Sequence, residues 1–436
     1  MLPLDYVHAF CLAGIALYIW EREPPRLLLV PLMLISFFVL YGVGNIVYFA
    51  GADTVPAVRT AVTLCLIFMW VGLVIGIETA RATAPSWTAR SERVMRNWKN
   101  TPILNRPDGD QLLAVAGVLV ALYVVAVFLY FGKPGQFLNF LSLQSTIDKV
   151  KFRHDFGPEG GYLYQTLISS VAPFLSFVLV LKGVVSRKRH LTAIGLMIGA
   201  AVFAGKVVTY AKSPWLVFVL QIIIVVQATR SLRFGLGRFL IFSAIMLLGV
   251  VLAAVIAIPE LDYPDLVEWL TYRFFEVNNE VIYQTFYVYP EYLPHTWGMN
   301  IGLVHALFGS GDLLSAHTRV ASFFGSEGAT FDSFFIGDAW VDFSYSGVII
   351  MSLFVGFIVK SVDIFVMSLG KTPLSLALLG SGMYGLFQLE LTSAFTAFFS
   401  GGLVLIPLLA SASAGLVNDL SGRSRGRGAN PAPEGR

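Results

Sequence analysis

Residues 57–79 read AVRTAVTLCLIFMWVGLVIGIET, with no charge between Arg59 and Glu78. A helix rises about 1.5 Å per residue, so about 20 apolar residues cross the hydrocarbon core of a bilayer. Backbone polar groups have no water to bond there, and a helix satisfies them within the segment. This run therefore predicts a membrane-spanning helix. Comparable runs lie at 4–20, 27–50, 111–131, 162–182, 191–210, 214–229, 239–258, 334–359, 373–397 and 400–418, which makes eleven. The predicted fold class is all-α, a polytopic integral membrane protein.

Composition agrees. Hydrophobic residues make up 56% of the 436 and charged residues 13%, about half the share in a soluble domain. A net charge of +3 is too small to argue for a nucleic-acid partner. The two cysteines, Cys11 and Cys65, sit inside apolar runs and offer neither a disulfide framework nor zinc spacing. The first apolar run lacks a basic leader and a small-residue cleavage site, so it reads as a retained span.

The basic residues orient the spans. Alternate gaps and the tail hold twenty-one of the thirty Lys and Arg; the opposite gaps and adjoining span ends hold nine. By the positive-inside rule the richer side is cytoplasmic. The N-terminus is then outside and the C-terminus inside. Residues 1–420 read as one transmembrane domain with two external loops, about 132–161 and 259–332. The tail, SGRSRGRGANPAPEGR (421–436), reads as a disordered basic cytoplasmic segment suited to anionic headgroups, or simply as a topology determinant.

The nine external cations become the candidates for anion chemistry. The larger loop reads LDYPDLVEWLTYRFFEVNNEVIYQTFYVYPEYLPHTWGMNIGL (261–303). Asp262 caps a predicted helix with Pro264 and Asp265 in its first turn, and the pattern stops at Pro290. Three- and four-residue steps put Arg273, Glu276, Glu280, Tyr283 and Tyr287 on one face. Such a stripe suits sugars and a phosphate, the arginine fork gripping the latter. The plainer reading pairs the two glutamates with Arg273 at a solvated face. The smaller loop contains STIDKVKFRHDFGPEGGYLYQ (145–165), whose Lys149, Lys151, Arg153 and His154 suit a pyrophosphate or snorkel to headgroups. Lys206 and Lys212 flank the outer end of the sixth span, Lys206 slightly inside it, where an ammonium is costly.

A third stretch, HTRVASFFGSEGATFDSFFIGDAWVDFSYSGVII (317–350), leads into the ninth span. It carries His317, Arg319, Glu327, Asp332, Asp338 and Asp342. Aspartates entering a membrane helix need polar partners. Asp338 and Asp342 are four apart on one face. They suit a divalent cation, a sugar hydroxyl, or a structural partner on another helix.

The segments GKVVTYAKSPWLVFVLQ (205–221), YRFFEVNNEVIYQTF (272–286) with YPEYLPHTWG (289–298), and ATFDSFFIGDAWVDFSYSGVI (329–349) resemble the Wzy family of bacterial O-antigen and exopolysaccharide repeat-unit polymerases. Arg273 matches the arginine that opens that family's large loop; Asp332, Trp340 and Gly347 match its loop–helix junction. The resemblance implies a multi-span glycosyltransferase of the GT-C kind in the bacterial inner membrane, with its site facing the periplasm. It implies transfer of a glycan from undecaprenyl pyrophosphate to the terminal sugar of another lipid-linked unit, with little or no dependence on metal and no cofactor. The partners implied are that lipid-linked oligosaccharide, the bilayer and a chain-length-regulating co-polymerase. The related O-antigen ligases carry His–Asn where this chain has Phe331–Asp332, which favours polymerase over ligase. A transporter of lipid-linked oligosaccharide is the further alternative, disfavoured because the charges cluster at one face.

Inverting transfer needs a base at the acceptor hydroxyl and positive charge at the departing pyrophosphate. The base candidates are Asp332, then Glu280 and His317. The pyrophosphate candidates are Arg273 and Arg319, then Arg153, Lys206 and Lys212, with Tyr283 against the sugar.

Overall fold

The computed structural model describes residues 3–104, 110–131, 139, 143, 166–207, 212–233, 248, 249, 251, 263–309, 315–325 and 334–411. Among them the chain is helical, with no strand. The principal helices are α1 (Pro3–Arg22), α2 (Leu29–Gly51), α3 (Pro56–Thr83), α4 (Pro85–Asn97), α5 (Asp110–Phe131), α6 (Leu167–Ser186), α7 (Arg189–Val207) and α8 (Lys212–Arg230). After them α9 runs in three pieces, Tyr263–Thr271, a π turn Tyr272–Glu276, and Val277–Val288. The rest are α10 (Gly302–Phe308), α11 (Ala316–Phe323), α12 (Phe335–Ser368), α13 (Pro373–Leu391) and α14 (Ala394–Phe398).

Five of these, α2, α3, α6, α12 and α13, are long and apolar enough to cross a membrane. The predicted spans 27–50, 57–79, 162–182, 334–359 and 373–397 fall on them. Those at 4–20, 111–131, 191–210 and 214–229 fall on α1, α5, α7 and α8. Most of 239–258, nearly all of the smaller external loop, residues 259–262 (Asp262 included), 310–314 and 326–332 of the larger one, and the tail 421–436 lie outside the described residues.

The helix ends follow local chemistry. Pro56, Pro85 and Pro373 each open a helix in the first turn, where a missing N–H costs nothing. Thr372 and Ser375 form a reciprocal capping box on α13. The start of α2 is different, because its cap residue is Leu28. Its first amides instead donate to the Asp363 carboxylate of α12, Leu29 N and Val30 N each at 2.9 Å from one oxygen. A buried carboxylate thus serves as an N-cap from another helix.

The core is built around α3 and α12, which pack along Gly72, Gly76, Ser352 and Gly356. Small residues at four-residue spacing let two membrane helices approach backbone to backbone. Around this pair lie the fully buried Trp70, Met69, Leu66, Met33 and Phe37. Tyr41 of α2 stacks on Phe334 with centroids 3.7 Å apart, and its hydroxyl donates to the Glu390 carbonyl of α13. Both ends of α1 are tied to α3, through Asp5 to Arg59 at 2.6 Å and Tyr18 to Glu78 at 2.8 Å.

Helix α12 is 34 residues long, beyond what a bilayer needs. It breaks at Phe343 (φ −138°, ψ 19°) and Ser344 (φ 57°, ψ −145°). The half-helix before the break folds back until the Ala339 carbonyl rests against Gly347. No proline marks this break in the sequence.

The cap from Asp363 yields a test. Burying a polar group without its partner costs about 1–3 kcal/mol, and Asp363→Leu strips two amides at once. Thermal unfolding of the detergent-purified protein should show a clearly lower midpoint for Asp363→Leu. Asp363→Asn, which keeps one acceptor oxygen, should fall between that variant and the parent.

Candidate functional site

The break in α12 leaves carbonyls at the end of its first half without their helical amides. The turn 295–300 supplies the donors. Thr296 N bonds the Val341 carbonyl at 3.0 Å and Trp297 N the Asp342 carbonyl at 3.1 Å. The turn needs left-handed backbone at Trp297 (φ 53°) and Gly298 (φ 88°), and a glycine relieves the second. The Asp342 carboxylate closes the turn from below. One oxygen accepts from the Thr296 hydroxyl, from Gly298 N at 3.1 Å and from Asn300 N at 3.3 Å. Asp342 is therefore a scaffold residue.

Asp338, one turn earlier, faces the same segment. Its Oδ1 accepts from Asn300 Nδ2 at 2.7 Å, and its Oδ2 lies 3.4 Å from His317 Nε2. The other end of the Asn300 amide accepts from Ala316 N at 2.8 Å, at the start of α11. Ser315 caps that helix through Thr318 N. One asparagine thus clamps α11 to α12 and sets His317 against Asp338, both largely buried (side chains 13% and 6% exposed).

Arg319, two residues on along α11, is half-buried. Its buried Nε finds no acceptor among the described residues. It acts electrostatically on Tyr289, whose phenol burial holds above its usual range against the opposing pull of Arg319. The Tyr289 carbonyl accepts from Trp340 Nε1 at 3.0 Å, and Trp340 stacks on Phe286 at 4.3 Å. Beside this cluster the surface is aromatic. Tyr287 and Tyr292 share a 2.9 Å hydroxyl contact, Tyr292 packs on Phe323 at 4.9 Å, and Tyr292, Trp297, Phe323 and Phe324 are exposed.

The other expected site residues are elsewhere. Asp332, Glu327, Arg153 and the rest of the 149–154 cluster lie outside the described residues. The Arg273–Glu280 row is broken, because the π turn 272–276 adds a residue to one turn and brings Tyr272 into line with Glu280 instead. The two oxygens of Glu280 take the Tyr272 hydroxyl at 2.8 Å and Gln284 at 3.1 Å. Burial and that carboxylate push the Tyr272 phenol up to about 12. Exposed Arg273 lies over the Trp269 ring at 5.6 Å. The Tyr283 hydroxyl accepts from Val55 N at 3.0 Å, linking α9 to the entry of α3. Lys206 is 1% exposed, its ammonium 4.6 Å from the centre of the Tyr384 ring of α13. Lys212 is the first residue of α8.

Of the expected residues, then, His317 meets Asp338, while Arg319 of the same helix acts on Tyr289, as do Asp338 and Asp342. Asn300 and Tyr289 were not anticipated. The Gly-Met-Asn of 298–300 has turn composition, which was the available signal. Among the described residues no three His, Cys, Asp or Glu side chains converge to hold a metal ion. Comparison with protein-family models, with curated proteins and with solved structures returns no match.

The clamp is testable. Asn300→Leu removes both of its bonds, each worth about 1 kcal/mol or more. Amide exchange in 316–323 should then quicken by about tenfold or more. Unchanged exchange would mean that α11 is held by other contacts.

Proposed function

We propose that the protein is a membrane glycosyltransferase that polymerises lipid-linked oligosaccharide repeat units, working at the end of the helical bundle where His317 and Asp338 meet. The observation that carries this reading is the imidazole–carboxylate pair of His317 and Asp338, on a helix that also carries Arg319, near an aromatic surface at one end of apolar helices. Asp338 at Nε2 favours the tautomer with its proton there and its lone pair on Nδ1. That nitrogen takes the proton of the acceptor hydroxyl as the oxygen attacks the anomeric carbon. The bond from that carbon to the pyrophosphate oxygen breaks, and the pyrophosphate leaves with the electron pair. Arg319 offsets the charge that develops on it. Tyr292, Phe323 and Phe324 present flat faces to sugar rings. His317, one of the three base candidates from sequence, takes the role first assigned to Asp332.

An apolar groove of about 490 Å³ between α6, α7 and α8, lined by Phe177, Phe203, Phe218 and Ile222 among others, suits a polyprenyl chain entering from the bilayer. The reading includes eleven spans, an outer N-terminus, an inner C-terminus, and an inner-membrane location with the site on the periplasmic side. It also includes undecaprenyl pyrophosphate as the carrier.

The experiment is reaction of the purified protein with a synthetic lipid-pyrophosphate repeat unit, read as a glycan ladder. The parent should give a ladder. His317→Gln should lower its rate by about 10²–10⁴-fold, the usual share of a positioned base. No ladder from a competent substrate sinks the polymerase reading, and a normal ladder from His317→Gln sinks the base assignment. Transfer of a single unit to a different glycolipid would identify a ligase.

A further inference from the structure

At the opposite end of α3 and α12 lies a polar cavity, about 350 Å³ in volume, lined by the end of α1, the turn 24–26, α4 and Lys360. Five cations line it, Arg22, Arg26, Arg81, Arg96 and Lys360, against the carboxylates of Glu21, Glu23 and Glu92. Its floor is internally neutral. Glu23, 4% exposed, accepts from Arg81 at 2.7 Å and from Lys360, and Arg81 also bonds Glu78. Arg22 leans toward Glu78 at 4.0 Å.

Arg26 differs from these. Its guanidinium is half-buried, and its Nη1 meets the thioether sulfur of Met95 at 3.7 Å, a weak acceptor. Burial and the neighbouring Arg233 both weaken its hold on its proton, while Glu23 and Glu92 strengthen it. A guanidinium so placed has unused donors in a fixed fork, the geometry that matches phosphate oxygens. Arg96 stands exposed on the same wall, on α4.

The class of anion follows from α4. That helix buries Ser91 and packs Val94 and Met95 on the core, while Trp87, Arg90, Arg93 and Arg96 face out. A helix that packs its apolar side on the bundle and turns a tryptophan and three arginines outward suits the headgroup layer, where both residue types gather. The cavity therefore opens at the depth of lipid phosphates, and basic pockets between membrane helices take anionic headgroups. We propose that this cavity binds the phosphodiester of an anionic phospholipid, with Arg26 and Arg96 as its ligands. The site depends on the chain spanning a bilayer and is independent of the proposed glycosyl transfer.

The test is thermal unfolding of the full-length protein in a neutral detergent, titrated with phosphatidylglycerol, phosphatidylcholine or inorganic phosphate. Native mass spectrometry counts the lipid bound. Phosphatidylglycerol should raise the midpoint saturably, and the other two should not. Arg26→Gln and Arg96→Gln should each weaken that lipid's apparent affinity by about tenfold or more. Lys188→Gln, in the α6–α7 turn away from the cavity, should leave it unchanged. Arg96 is exposed, so its variant keeps the fold if Arg26→Gln does not. Equal protection by phosphatidylcholine overturns the site, as does unchanged affinity in the Arg96 variant. Protection by inorganic phosphate without phosphatidylglycerol overturns the lipid assignment and points to a soluble anion.

Discussion

Gly76 of α3 and Gly356 of α12 lie where the backbones of the two helices touch. A Cβ on Gly76 would overlap the Leu353 carbonyl, and one on Gly356 would overlap the Leu73 carbonyl. Gly72 and Ser352 extend the seam by one turn. Lipid offers little hydrophobic reward for joining two apolar helices, so close packing has to hold them. This seam forms the spine against which the other helices are placed. Helix α1 is tied to α3 through Asp5–Arg59 and Tyr18–Glu78. Helix α2 is capped from α12 by Asp363.

Because the seam sits between the two ends of α3 and of the second half of α12, it also sets what stands at each end. Above the break at Phe343–Ser344, the first half of α12 turns back and carries Asp338 and Asp342 under the 295–300 turn. At the other end, Lys360 and Arg81 meet over Glu23. Both ends are polar for the same reason: buried charges persist only where partners and backbone donors converge on them. The two ends differ in how far that convergence goes. Glu23 is satisfied by two cations, and the spare donors at that end belong to Arg26 beside it; at the first end the Arg319 Nε has no acceptor among the described residues.

The apolar helices were legible from sequence because hydrocarbon imposes a length and excludes charge, as in residues 57–79. The aspartates of α12 were legible as costly groups in need of partners. Which partners they take was not, since Asn300 lies 38 residues from Asp338 and nothing local links them. The π turn at 272–276 was also hidden. A periodic reading assumes a constant step, and one wider turn moves Tyr272 into the row where Arg273 had been expected. The break in α12 has neither proline nor an adjacent glycine to announce it. It is stabilised by amides from a distant turn. His317 and Arg319 were singled out for their chemistry alone; the fold adds the clamp that brings the first to Asp338.

The dependence on the α3–α12 seam is tested most directly by thermal unfolding of Gly76→Ala beside Gly14→Ala. Alanine is favoured over glycine in a helix interior by about 1 kcal/mol, so Gly14→Ala on α1, where a Cβ meets nothing within 4 Å, should match or exceed the parent. Gly76→Ala should unfold at a markedly lower temperature despite that same local gain. A Gly76→Ala protein as stable as Gly14→Ala would contradict the close approach on which the arrangement of both ends rests.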